Sequence, residues 1–165
     1  MKKRLILTTA LFSLGLMACQ QHNPANTSVS TTPNDHSASA LTEQNKKLVV
    51  DFYEGFFSKH QVQTYSDRYI GTQYIQHNPY VADGKAPFVN YFTQYFKEHP
   101  DAKNTIKRVV AEGDLVVLHV HSTQNAQDRG EAVVDIFRVE QGKIVEHWDV
   151  IQSIPAESAN RNTMF

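Results

Sequence analysis

Residues 133–149 read VVDIFRVEQGKIVEHWD. Apolar and polar residues alternate on both sides of Glu140-Gln141-Gly142, the pattern of two half-buried strands joined by a hairpin turn. A three-residue bulged turn with Gly142 in the left-handed position pairs Val139 with Lys143 and sets Asp135 opposite His147. A two-residue turn instead shifts the register by one and sets Asp135 opposite Trp148. The bulged turn is preferred because glycine stands where positive φ is needed. In that register Val133, Asp135, Phe137, His147 and Asp149 share one face, while Ile136, Arg138, Glu146 and Trp148 take the other. Two carboxylates and a histidine among apolar neighbours must pair or change protonation. Burial raises a carboxylate pKa and an imidazolium lowers it, which is how one site holds both a proton acceptor and a donor. Asp135 and His147 can equally form a purely structural pair. Glu146 and Arg138 read as solvent or dimer-surface charges.

The period of two extends upstream. Thr105 to Glu112 alternates, Gly113-Asp114 turns, and Leu115 to Ser122 alternates again. A polar loop spans Thr123 to Gly130, and the last hairpin covers Glu131 to Val139 and Lys143 to Gln152. Before Pro100 the period is helical. Leu48, Val49, Phe52, Phe56 and Phe57 mark a helix from a Thr42 cap to about Ser58, and a second covers Val62 to Tyr69. A third starts at Asp83-Gly84 with Pro87 in its first turn, carries Phe88, Tyr91, Phe92, Tyr95 and Phe96, and ends at His99-Pro100. Helices followed by antiparallel strands predict an α+β domain, three helices on one face of a curved sheet that wraps into a half-open cone.

Further polar residues sit at informative places. His119 and His121 are two apart and so share a strand face. Gln76-His77-Asn78-Pro79 lies between helices, on a short strand or a turn. His119, His121, His77 and Asp149 are chemically suitable metal ligands, but nothing in their spacing forces them to converge, and the expectation is no metal. His119 and His121 can also be half-exposed strand residues, and His77 can simply cap a turn.

The N-terminus reads as an export signal. Lys2-Lys3-Arg4 precedes an uncharged apolar run from Leu5 to Met17, too short for a stable span of ~20 apolar residues. It ends at Leu16-Met17-Ala18-Cys19, which resembles the bacterial lipobox, with Cys19 the lipidated residue. As the single cysteine, Cys19 excludes an intramolecular disulfide. Gln20, rather than aspartate, follows it, which points to the outer membrane facing the periplasm. The expected organisation is a signal peptide over 1–18, a lipidated flexible tether over 19–40 that includes His22 and His36, a folded domain over 41–155 and a loose tail over 156–165. Without Lys2, Lys3 and Arg4 the chain keeps 13 basic against 17 acidic residues, a net charge of −4. With no basic patch, nucleic acid is not an expected partner.

Tyr74-Ile75-Gln76-His77-Asn78-Pro79, Asp83-Gly84, Ala111-Glu112-Gly113-Asp114, Asp135-Ile136-Phe137-Arg138 and Gly142-Lys143-Ile144-Val145-Glu146-His147-Trp148-Asp149 together resemble the SnoaL-like polyketide cyclase family of the nuclear transport factor 2-like (NTF2-like) superfamily. The resemblance spans about Leu41 to Pro155. It implies a curved antiparallel sheet crossed by helices around an apolar pocket, a homodimer through the outer sheet surface, and ring closure by intramolecular aldol condensation without metal or cofactor. It matches Asp149 to the family's acid/base Asp and His77 to its His-Asn-Pro motif. The expected catalytic residues are therefore Asp149, His147, Asp135 and His77. His119, His121, Asn78, Phe137, Trp148 and Phe92 are expected to contact a small apolar or carbonyl-containing ligand. Export and tethering depart from the family's cytoplasmic cyclases, and the rival reading is a non-catalytic binding module in the envelope. A structural or assembly factor using only the sheet surface is a third.

Overall fold

The structure is a computed structural model that describes residues 33–165, with side chains from His36 onward. The export segment, Cys19 and His22 lie outside the described residues.

Among the described residues, three helices precede and interleave with five strands: α1 (Pro33–Tyr53), running into a π-helical turn (Glu54–Ser58), α2 (Val62–Tyr69), β1 (Ile70–Gln76), α3 (Lys85–Glu98), β2 (Lys103–Glu112), β3 (Leu115–Thr123), β4 (Glu131–Glu140) and β5 (Lys143–Ser153). The strand order is β1-β5-β4-β3-β2. Strands β2 to β5 are antiparallel neighbours. β1 pairs with β5 in parallel, so the sheet is mixed rather than wholly antiparallel. The crossover through α3 permits this, because a parallel pair needs a long connection.

α1 begins well before Thr42, inside the stretch expected to be a tether. Thr42 lies within the helix instead of capping it. Its hydroxyl donates to the Ala38 carbonyl at 3.0 Å, and the Asn45 amide donates to the Gly113 carbonyl at 3.1 Å. The π-helical turn, closed by Lys59 N–H donating to the Glu54 carbonyl at 3.0 Å, widens the helix by one residue. Both Phe56 and Phe57 consequently face inward with Phe52. A Cβ at Gly55 would stand 2.0 Å from the Tyr65 ring, which would have to move.

The inner sheet face supplies Val116, Leu118, Val120, Phe137 and Ile144 to a core completed by Val49, Phe52, Phe56 and Phe88. The end of the chain folds back over the opposite face, where the Phe165 ring lies 5.2 Å from His119 and 4.7 Å from His121.

The last hairpin decides the site. Its turn has two residues, with Glu140 opposite Lys143. Gln141 (φ 51°) and Gly142 (φ 72°) are both left-handed, as a type I′ turn requires. That shifts the expected register by one. A bulge then follows, because Arg138 pairs with Glu146 while Val139 pairs with Ile144, leaving Val145 as the extra residue. The two single shifts restore the expected faces. They set Asp135 opposite Asp149, and Phe137 opposite His147, rather than Asp135 opposite His147.

Candidate functional site

The inner face of β4 and β5 presents Asp135, His147 and Asp149 to a cavity of about 340 Å³. Phe57, Phe88 and Phe92 wall it on the helical side, and Asn78, Tyr80 and Gln76 close one end. Asp135 and His147 are 5% and 4% exposed, so both need partners. They have them. The Tyr53 hydroxyl, at the end of α1, donates to Asp135 Oδ2 at 2.9 Å. His147 Nε2 lies 3.0 Å from Asp135 Oδ1, and His147 Nδ1 lies 3.0 Å from Gln76 Oε1.

The backbone fixes the proton positions. Gln76 Oε1 accepts the Asn78 N–H at 2.9 Å, so the amide cannot be turned over without opposing two donors. His147 Nδ1 therefore carries a hydrogen and donates to Gln76. A single proton lies between His147 Nε2 and Asp135 Oδ1. Asn78 is fixed in the same way: its Oδ1 accepts the Tyr80 N–H at 2.8 Å, and its Nδ2 donates to Asp149 Oδ2 at 2.6 Å. Both His147 nitrogens are committed, whereas Asp149 Oδ1 has no hydrogen bond among the described residues.

Among the described residues, the buried Gln76 Nε2 and the buried Tyr74 hydroxyl make no full hydrogen bond, and the Gln76 amide acts on the phenol as a donor beside it. Burial, and then the charge of Asp135, push the Tyr53 hydroxyl well above its ordinary range. Burial does the same to Tyr74, with Asp135 and Asp149 adding to it. Both phenols stay protonated donors.

Several expected residues lie elsewhere. His77 follows inward-facing Gln76, so strand alternation turns it outward. There it stacks on Trp148 (centroids 4.6 Å apart, planes 4° off parallel) and bonds Glu146 Oε1 at 2.9 Å. Glu146 also accepts Arg138 Nε at 2.7 Å. These bonds, that to Arg138 first, hold its carboxyl below the ordinary carboxylate range. Trp148 is thus on the outer face and cannot contact a molecule in the cavity.

His119 and His121 are outward too, because Leu118 and Val120 take the inner face of β3. His119 Nδ1 lies 3.2 Å from an Arg108 nitrogen, and His121 Nε2 donates to the Arg129 carbonyl at 2.8 Å. Phe137 is fully buried beneath the site, its ring 4.8 Å from that of His147. It is the floor under the histidine and not a wall. Asn78 and Phe92 do line the cavity.

The histidines named as alternative metal ligands are therefore separated from Asp149 by the sheet. Among the described residues, one donor atom each of Asp135, His147 and Asp149 lie within 4.8 Å of one another. A cation there would have to displace the Asp135–His147 hydrogen bond. Sequence reasoning singled out the group containing Gln76 but gave Gln76 no role, and it missed Tyr53 and Tyr74. The signals were present. Tyr53 is four residues from core Val49 on one helix face, and Gln76 is two residues from Tyr74 on one strand face.

No curated protein matches the chain. Solved structures share its fold at low identity. A SnoaL-like protein of unknown function from Burkholderia thailandensis is 13% identical with a TM-score of 0.58, covering 68% of this chain and 98% of that one. A candidate ketosteroid isomerase from Kribbella flavida is 17% identical with a TM-score of 0.58, covering 75% and 89%. An NTF2-like protein of unknown function from Cytophaga hutchinsonii is 16% identical with a TM-score of 0.55, covering 66% and 89%. The family description of SnoaL-like polyketide cyclases matches residues 47–160. With its α+β cone and a pocket on the inner sheet face, the chain belongs to the SnoaL-like polyketide cyclase family.

Proposed function

We propose that this chain is a lipid-anchored envelope protein that binds a small carbonyl-containing molecule and moves a proton at the carbon beside the carbonyl. One observation carries the reading. Asp149 presents an unengaged carboxylate oxygen to an aromatic-walled cavity. Asp149 Oδ1 takes the proton and leaves an enolate. The enolate carbon then attacks a second carbonyl of the same molecule and closes a ring, or is reprotonated at another carbon. In the first case the Asp149 proton passes to the new alkoxide, so no cofactor is needed. Asp135 and His147 hold the site's shape and charge. His147 does not donate directly, because both of its nitrogens are occupied.

Among the described residues no free imidazole donor lines the cavity, which favours a second reading, in which the pocket binds its ligand without turnover. The two separate in heavy water. Full-length protein should accelerate exchange of the acidic protons of β-tetralone, followed by proton NMR, and Asp149→Asn should bind β-tetralone without accelerating exchange. Equal exchange by both proteins removes the catalytic reading and leaves the binding one.

Lys2 to Cys19 supports export and an anchor at Cys19, placing the pocket near the outer membrane. Metabolic labelling with a palmitate analogue, lost in Cys19→Ala, tests this. The outer face carries the cross-strand row Val110, Val117, Ile136 and Trp148, with Val110 63% exposed. That row supports a homodimer through the sheet. Sedimentation of Val110→Glu as a monomer beside a dimeric parent tests it.

A further inference from the structure

A second cavity of about 430 Å³ adjoins the inner one. Tyr95, Ser122, Gln124 and Glu131 line both. The inner cavity is walled largely by aromatic rings, but the outer one is bounded by the β3–β4 loop and the end of β5, and its lining is polar.

The loop is built rather than loose. One oxygen of Asp128 accepts the Gln124 N–H at 2.9 Å and the other accepts the Gly130 N–H at 2.9 Å. These two bonds hold the Asp128 carboxyl below its ordinary range. Gly130 (φ 79°) packs where a Cβ would stand 2.0 Å from the Ser122 carbonyl oxygen, and its own carbonyl accepts the Ile154 N–H at 2.9 Å. Arg129 turns its Nε to the Ile154 carbonyl at 3.4 Å.

With both Asp128 oxygens occupied, the groups left for a ligand are the Gln124 and Gln127 amides, the Ser122 hydroxyl, one Glu131 oxygen and the Nη groups of Arg129, beside the Tyr95 ring. Planar amides and a carboxylate match hydroxyl groups, which both donate and accept. An aromatic ring matches the C–H surface of a sugar ring. Arg129 and Glu131 carry opposite charges, so a strongly ionic ligand finds no cluster of one sign here.

We infer that this vestibule is a second subsite, and that it takes the polyhydroxylated, sugar-like part of an amphipathic molecule whose flat carbonyl part fills the inner cavity. The inference rests on the small-molecule reading of the inner cavity and extends it to a substrate class, glycosylated carbonyl compounds.

The probes are para-hydroxyacetophenone and its β-glucoside, titrated by calorimetry into the full-length chain. Two or three added hydrogen bonds give a glucoside bound roughly ten-fold tighter than the aglycone. The glucoside alone should shift the amide resonances of Gln124 to Gly130. Gln127→Ala and Gln124→Ala should each reduce the glucoside's advantage without raising the aglycone's affinity. If the aglycone binds and the glucoside binds no better, the subsite is wrong and the inner-pocket reading stands. If neither binds at millimolar concentration, both are wrong. A glucoside advantage that survives both substitutions also overturns the subsite.

Discussion

Asp135 and Asp149 face each other across adjacent strands, yet each is tied elsewhere. Asp135 uses both oxygens, on Tyr53 and His147, and Asp149 uses one, on Asn78. The two carboxylates therefore fail differently when altered.

Asp149→Asn keeps an oxygen that can face Asn78 and should fold like the parent. Its exchange rate on β-tetralone should fall by ~10²–10⁴-fold, the usual worth of a general base. Asp135→Leu leaves the buried Tyr53 hydroxyl without its acceptor and His147 Nε2 without its partner. It should cost about 1–3 kcal/mol in a urea titration. A stable Asp135→Leu would show that the Tyr53 and His147 bonds contribute little.

Gln76 holds the site through one shared acceptor. Gln76→Leu removes the acceptor shared by His147 Nδ1–H and the Asn78 N–H, and should lower the melting temperature. A melting temperature equal to the parent's would show that this acceptor contributes little.

Gly130→Ala places a Cβ into the Ser122 carbonyl and demands positive φ of alanine. Destabilisation above about 1 kcal/mol is expected by chemical denaturation. The loop amides should also lose their protection from hydrogen exchange, because Asp128 no longer reaches both loop ends. Parental protection would show that the loop is held by other contacts.

Glu146 gives a pH signature on the outer face. Its carboxyl is held below the ordinary 4.5 by Arg138 and His77. The stabilisation is present above the unfolded value and is lost as pH falls through the lower folded one. Between neutral pH and about pH 3, Glu146→Gln should therefore lose less melting temperature than the parent, after allowance for its lower start. Parallel curves for the two proteins would count against the pairing.

Much of this was legible in the sequence. Alternation around Gly142 gave the hairpin, and the faces of Asp135, His147 and Asp149 followed from parity alone. The register was misjudged because Gln141, a non-glycine, also adopts positive φ, and because the bulge at Val145 leaves no mark in a run of apolar residues. Parity survived only because two single-residue shifts add to an even number. The outward positions of His119 and His121 could have been read from Val116, Leu118 and Val120, whose apolar side chains claim the core face. His77 lies outside by the same rule. What local pattern could not show was the parallel pairing of β1 with β5, a long-range choice that brings Gln76 and Asn78 against His147 and Asp149.

The parallel stack of His77 on Trp148 has an optical consequence. Trp148 is the single tryptophan of the chain, and it lies across the sheet from the cavity. Its emission is therefore a gauge of the outer surface: quenching by an added solute, or a blue shift on self-association, reports events there. Ligand titrations followed by tryptophan emission would miss filling of the pocket, so tyrosine absorbance or nuclear resonance is the appropriate readout for the inside.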